Sequence, residues 1–187
     1  MKRVFKTDLS LKGLRELNKQ IREYKNHTLP TKVEQLVNEL ADKGISVGKV
    51  NCGGFGNYIG FRKDIVDTKY NYQCKAIIIA YNSRPNIVRW VSWEGMKEAE
   101  VNSLMMAEFG SGSHARDGYR GTFPNDEGRD SHGLEDLWWY ATDIGADGKP
   151  TNWHMSTGVS PSRPTYWAWL EMKSDIVQTA RAVFDRS

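Results

Sequence analysis

Three histidines are the first residues whose chemistry could matter. His114, His132 and His154 share one Gly-rich stretch with Asp117, Asp126, Asp130, Asp136 and Asp143. Imidazole with carboxylate is the ligand set of a catalytic zinc, which keeps one position open for an activated water. A metal-dependent hydrolase is therefore one reading. Against it, the spacings of 18 and 22 residues match no ligand signature, and carboxylates also simply solvate a loop. Ser113 beside His114 supplies a nucleophile and a base by type, but such a pair needs shared geometry and an orienting third group. Gly110-Ser111-Gly112-Ser113-His114-Ala115 fits a relaxed dinucleotide pattern that requires a strand before it and a helix after it. A helical pattern precedes it here and Arg116-Asp117-Gly118 follows, so the match is rejected. Gly145-Ala146-Asp147-Gly148-Lys149-Pro150 lacks the spacing and the Ser/Thr of a P-loop. Cys52 and Cys74 form no CxxC pair and read as small buried hydrophobes. These patterns point to no catalytic residue, no metal and no cofactor.

Binding is the other possibility. Lys12, Arg15, Lys19, Arg22 and Lys25 would serve a DNA-binding module, or would be the solvated face of a helix. Trp138, Trp139, Tyr140 and Trp153 stand in a segment with no regular period, where aromatics could stack on a ligand or anchor a protein interface. Charge is unevenly distributed. Residues 1–50 carry 11 Lys/Arg against 6 Asp/Glu, and residues 111–160 carry 4 against 8. A chain with unlike ends suits contacts between copies or with other proteins.

These residues must be positioned by recognisable elements. Leu11, Leu14, Leu17 and Ile21 recur at helical spacing and predict an amphipathic helix over about 10–26. Thr31 and Glu34 have capping-box spacing, Val33, Leu36, Val37, Leu40 and Ala41 give a buried stripe, and Gly44 reads as a stop, so a second helix covers about 31–43. A short strand is expected at Val4–Lys6, and strands at 45–50, 58–65, 72–81 and 86–93. Of these, Ala76–Tyr81 reads as a central strand covered on both faces. A short helix is expected at about 98–109. Residues 110–161 hold 9 of the 17 glycines and read as a long Gly and aromatic insertion that orders by docking. Pro164 opens a terminal helix over about 164–185, with Tyr166, Trp167, Leu170, Ile176, Val177, Ala180, Val183 and Phe184 at helical spacing.

The chain of 187 residues reads as one α+β domain: a mixed β-sheet packed by two N-terminal helices and one C-terminal helix, with the Gly-rich insertion loop. Its longest apolar run, Ala76–Tyr81, is far below the ~20 residues of a membrane span. Met1–Lys6 carries no apolar signal core, so export is not expected.

One stretch resembles a known family. Ala107-Glu108-Phe109-Gly110-Ser111-Gly112 resembles the Glu-Phe-Gly-Thr-Gly signature of head–tail joining proteins of tailed bacteriophages, the neck, tail-completion, minor capsid and tail-component proteins. Gly121-Thr122-Phe123 and Trp138-Trp139-Tyr140 look like that family's Gly-aromatic turn and Trp/Tyr cluster. Thr157-Gly158 and Arg163-Pro164-Thr165-Tyr166 look like its Thr-x-Gly stretch and the start of its terminal helix, which ends here in Thr179–Phe184. Ser111 stands where Thr is usual, and the acidic 110–161 segment departs from the family. The resemblance implies a structural virion subunit without chemistry, assembled in the host bacterial cytoplasm into a six-fold ring in the neck. Its partners would be its own copies, the adjacent head-closure or connector protein, a tail-tube or tail-terminator protein, and DNA in the channel through non-specific contact. No membrane is involved. In that setting Trp138, Trp139, Tyr140 and Trp153 are candidate interface residues. The motif residues have local readings: Glu108 a cap or ion pair, Phe109 core, Gly110 and Gly112 special backbone angles, Pro164 and Tyr166 the start of the helix.

Overall fold

A computed structural model describes residues 8, 10–68, 73–92, 95–111, 114 and 138–186. The strand expected at Val4–Lys6 lies outside them. The first helix, α1 (Leu11–Glu23), runs through a π-helical turn (Tyr24–Thr28) into α2 (Leu29–Val50). Ser10 caps α1, its Oγ accepting the Gly13 N–H at 3.0 Å. The expected break before Thr31 does not occur. Pro30 has no N–H to donate, and the widened turn ahead of it takes up the ring without ending the helix. Thr31 is not a cap either; its hydroxyl donates to the His27 carbonyl at 2.9 Å.

Gly44 does not stop α2. The expected strand at 45–50 is the helix's last two turns, and the buried stripe continues from Leu40 and Ala41 through Gly44 to Gly48. A Cβ on Gly44 would lie 2.8 Å from Met172 Cγ and 3.0 Å from Ile78 Cδ1. The glycine is therefore a packing residue, small because a helix and a strand press on it, and that signal is easily mistaken for a terminator.

The strands are β1 (Ile59–Thr68), β2 (Gln73–Asn82), β3 (Ile87–Ser92), β4 (Gly95–Glu100), β5 (Trp138–Ile144) and β6 (Pro150–Ser156); the remaining helices are α3 (Ser103–Phe109) and α4 (Pro164–Asp185). Helix makes up 51% of the described residues and strand 29%, the α+β class expected. Among the described residues the strands divide between two sheets, β1-β2 and β4-β3-β5-β6, instead of forming one mixed sheet, and in the larger sheet β3 pairs antiparallel with β4 and β5, and β5 with β6. The expected helix at 98–109 is half strand: Met96, Glu98 and Glu100 alternate outward along β4, and Asn102 caps α3 by accepting the Met105 N–H at 3.1 Å. β2 is not covered on both faces, since Lys75 and Ile77 alternate outward. On α4 the buried positions are Pro164, Ala168, Thr179 and Val183, whereas Trp167, Ile176 and Val177 face solvent. No helix among the described residues is long and apolar enough to cross a membrane.

The chain forms two compact units. One comprises Met1–Ser46, Arg62–Ile79 and Ala168–Ser187, the other Val47–Phe61 and Ala80–Trp167. In the first, Lys43 pairs with Asp175 and donates to Thr179 Oγ1 at 3.1 Å, while Lys32 Nζ donates to the Val183 carbonyl at 2.8 Å near the end of α4. A cation at a helix C-terminus satisfies carbonyls the helix leaves open. In the second, Cys52, Ile59 and Ala107 are buried together against Phe55, Phe61 and Leu104.

Two outcomes follow from the first unit. Gly44→Ala gains about 1 kcal/mol of helix propensity but overpacks a site where such insertion costs about 1–3 kcal/mol. The variant should be destabilised in urea unfolding, and an unchanged or higher midpoint would refute the packing role. The hydrogen bond from Lys43 holds the Asp175 carboxyl below its ordinary value of 3.8, aided by Thr179. A depressed carboxyl stabilises the fold above that value and loses its contribution as pH falls through the folded pKa. The stability gap between the protein and Asp175→Asn should therefore close as pH drops below about 4, measured by urea midpoints across pH.

Candidate functional site

The residues carrying the family resemblance sit on two segments that meet inside the second unit, with partners 48 to 57 positions apart in sequence. At the end of α3, the Ala107 carbonyl accepts the N–H groups of Ser162 and Arg163, both at 2.8 Å. Beside it the buried Glu108 carboxylate accepts the Thr165 N–H at 2.5 Å, inside the first turn of α4. Glu108 is thus a cap supplied from a distance. Helix starts leave N–H groups unpaired and favour negative charge, and Pro164 at the first position has no N–H to satisfy.

The next residues close the arrangement. Ser111 N–H donates to the Val159 carbonyl at 2.9 Å, and Val159 N–H returns to Ser111 O at 3.2 Å and Oγ at 3.1 Å. The hydroxyl at this position is in use. Gly110 holds φ +75° and ψ −168°, a region open essentially to glycine alone. A Cβ there would lie 2.6 Å from Val159 O and 2.8 Å from His114 O. Gly158 also has positive φ, with its N–H on Ser156 Oγ at 3.2 Å. Arg163 takes φ +57° before Pro164, and its guanidinium lies 3.9 Å from the Tyr166 ring centroid. Proline disfavours a right-handed helical residue before it, and the cation–π contact helps offset the strained angle. Phe109 is half-buried, and Pro164 is buried as expected. Gly112 lies outside the described residues. Burial pushes the Cys52 thiol above its ordinary pKa, with the Glu108 charge adding to the effect. A thiol held protonated and covered is a packing group, not a nucleophile.

The aromatic candidates belong to a hairpin, not to an irregular insertion. β5 and β6 pair through Trp138↔Ser156, Trp139↔Met155, Tyr140↔His154 and Ala141↔Trp153. The loop between them is the stretch weighed as a P-loop: Gly148 has φ +77° and Asp147 Oδ1 accepts the Lys149 N–H at 3.1 Å. The Asp147-Gly148 dipeptide between β-prone runs is the sequence signal that locates this turn. Asn152 takes φ +55° within β6, held by its amide donating to Thr142 Oγ1 and Asp143 Oδ2, both at 2.8 Å.

Paired residues in an antiparallel ladder share a face, as do residues two apart on one strand. Val91 pairs with both Ala141 and Met96, so Met96, Val91, Ala141, Trp153, Trp139 and Met155 lie on one side of the sheet. Val91 and Ala141 are buried, but Trp139 is 60% exposed, Trp153 48%, and Met96 and Met155 56% each. Trp139 and Trp153 are thus brought together. Tyr140 lies on the other side, stacked on His154 at 5.5 Å between centroids. Nothing is described of the Trp138 side chain. Met96 and Met155 were not singled out in the sequence, because only strand pairing shows that they join the tryptophans.

Of the histidines, His132 lies outside the described residues. His154 Nε2 stands 3.4 Å from Thr142 Oγ1, and His114 Nε2 stands 3.5 Å from Thr157 Oγ1. No group of three His, Cys, Asp or Glu residues placed to hold a metal occurs among the described residues.

Gly110→Ala tests the clasp. It adds a strained angle, at roughly 1–3 kcal/mol, to a clash with two backbone carbonyl oxygens, of which that of Val159 already accepts the Ser111 N–H. The expected loss is about 3 kcal/mol or more in urea unfolding. A loss below about 1 kcal/mol would show that the segment relaxes freely.

No family model matches the chain, and no curated protein and no solved structure matches it.

Proposed function

We propose that the protein is a structural subunit of the head–tail junction of a tailed bacteriophage or a phage-tail-like particle, docking through one face of its larger sheet. The observation that carries this reading is the exposed apolar face of Trp139, Trp153, Met155 and Met96. Exposed apolar side chains grouped on one side of a sheet, two of them tryptophan, have the composition of protein–protein hot spots. The family resemblance supports the choice of partners: further copies of the chain in a six-fold ring, the head-closure or connector protein on one side, and the tail-tube or tail-terminator protein on the other. In this reading Glu108, Gly110, Ser111, Arg163 and Pro164 shape the subunit and perform no chemistry, and the protein acts in the virion neck after assembly in the host cytoplasm.

The strands at the edges of the sheet favour docking by its face. β4 carries Lys97, Glu98 and Glu100, and β6 begins at Pro150 and is kinked at Asn152. Charge, proline and kinks are the devices that discourage strand addition at an edge.

The test is mass analysis and electron imaging of the purified protein, alone and mixed with DNA-filled heads or tails from its own source. A ring, or capture at the junction, is expected. A monomer that ignores heads and tails alike would overturn the reading. The double variant Trp139→Ser, Trp153→Ser removes side chains that are 60% and 48% exposed, and it should still fold, which circular dichroism and a cooperative thermal transition check. Its capture should weaken by about 30-fold or more, as loss of a hot-spot residue does. Undiminished capture would place the docking surface elsewhere.

A further inference from the structure

No residue of α1 is buried, although the helix carries a continuous aliphatic stripe. Leu14, Leu17 and Ile21 follow one another at spacings of three and four, with Leu11 one turn ahead. Leu11 is 77% exposed, Ile21 42% and Leu14 39%. At about 100° per residue the charges fall in order round the helix from that stripe. Arg15 and Arg22, each one residue beyond Leu14 or Ile21, flank it; Lys12 and Lys19 come next, and Glu16 and Glu23 lie on the side opposite Leu14 and Ile21. The side chains of Lys12, Arg15, Lys19 and Arg22 form no hydrogen bond or ion pair among the described residues.

This order selects among anionic partners by charge complementarity. A basic helix with a separate aliphatic face is the form that lies on an anionic lipid surface. Its aliphatic side chains enter the boundary between headgroups and acyl chains, and its long cationic side chains reach back to the headgroups. The orientation that buries Leu11, Leu14 and Ile21 in lipid directs Glu16 and Glu23 away from the anionic charge. A nucleic-acid backbone would have to meet the basic side, where those acids adjoin Lys12 and Lys19, and it would leave the aliphatic stripe in water. A protein groove is disfavoured too, because interface hot spots draw on Trp and Tyr, with Leu under-represented, and α1 has no aromatic residue. At 13 residues α1 is far short of the ~20 needed to cross a bilayer, so the contact is with its surface.

We propose that α1 docks on the surface of an anionic lipid bilayer, lying in its plane with Leu11, Leu14 and Ile21 inserted and Arg15, Lys19 and Arg22 on the headgroups. The family resemblance implies no membrane. This contact rests neither on that resemblance nor on the sheet face, so either proposal can fail while the other stands.

The experiment is co-sedimentation of the full chain across a titration of vesicles, made of phosphatidylcholine with phosphatidylserine or of phosphatidylcholine alone. Binding to the mixed vesicles and not to the neutral ones is expected. Each cation near an anionic surface contributes about fivefold in affinity, so Arg15→Gln, Lys19→Gln, Arg22→Gln should bind about 100-fold more weakly. The double variant Leu11→Gln, Ile21→Gln keeps every charge and should lose about 10-fold or more. Gln is a good helix former, so both variants should keep the parent's circular dichroism. A control with the same net charge as the triple variant, Lys49→Gln, Lys75→Gln, Arg181→Gln, should lose less than about 3-fold. Absence of binding to the mixed vesicles overturns the proposal. So do undiminished binding by the double variant, which would mark adsorption by charge alone, and equal losses in the two triple variants, which would mark a net-charge effect. Binding to a DNA duplex of mixed sequence without binding to vesicles overturns it as well, and would assign the cations to a phosphate backbone.

Discussion

Adjacent acceptors on α3, the Ala107 carbonyl and the Glu108 carboxylate, hold the first turn of α4, and the second unit is organised around that contact. Ser162, Arg163 and Thr165 all donate to it. A helix start that must be capped from another segment cannot form on local sequence alone, so α4 and α3 specify each other's ends. The reciprocal bonds of Ser111 and Val159 continue the contact by one more pair, and Gly110 is the only residue type that lets the two backbones approach so closely. Cys52 and Ile59 pack with Ala107, so the same short helix that supplies the acceptors also forms the local core.

That division of labour separates what is buried from what is offered. Within the clasp Glu108, Ser111 and the Ala107 carbonyl are each spent on a named backbone donor, while Arg163 Nε is buried without a hydrogen-bond partner among the described residues. The sheet β4-β3-β5-β6 keeps small residues, Val91 and Ala141, in its middle and large apolar ones around them. Val91 and Ala141 are thereby covered within the chain, and what this side of the sheet offers to a partner is the exposed parts of Trp139, Trp153, Met155 and Met96.

Much of the fold is legible in the sequence where one element's own pattern decides it. The limits of α4 follow from Pro164 and the spacing behind it, and the existence of α1 and α2, though not where α2 begins and ends, follows from their amphipathic periods. The failures share one cause. Gly44 was a helix stop by type but a contact residue by packing, and Glu98–Glu100 read as the start of a helix until pairing with β3 claimed them for a strand. The aromatic stretch before Ile144 and the one around Trp153 each lack a period long enough to announce a strand; together, across the Asp147-Gly148 turn, they form a hairpin. The motif residues were visible as a series, and Glu108 was visible as a local cap or ion-pair partner. What it caps was not, because a hydrogen bond between residues 57 positions apart leaves no trace in spacing.

The Trp139 and Trp153 face is apolar, and this sets how docking through it responds to salt. Attraction between exposed charges is screened as salt rises, whereas apolar burial is insensitive to screening and is strengthened by sulfate. A contact that survives high salt therefore belongs to the sheet face, and one that vanishes draws on exposed charge such as Arg15, Lys19 and Arg22 of α1.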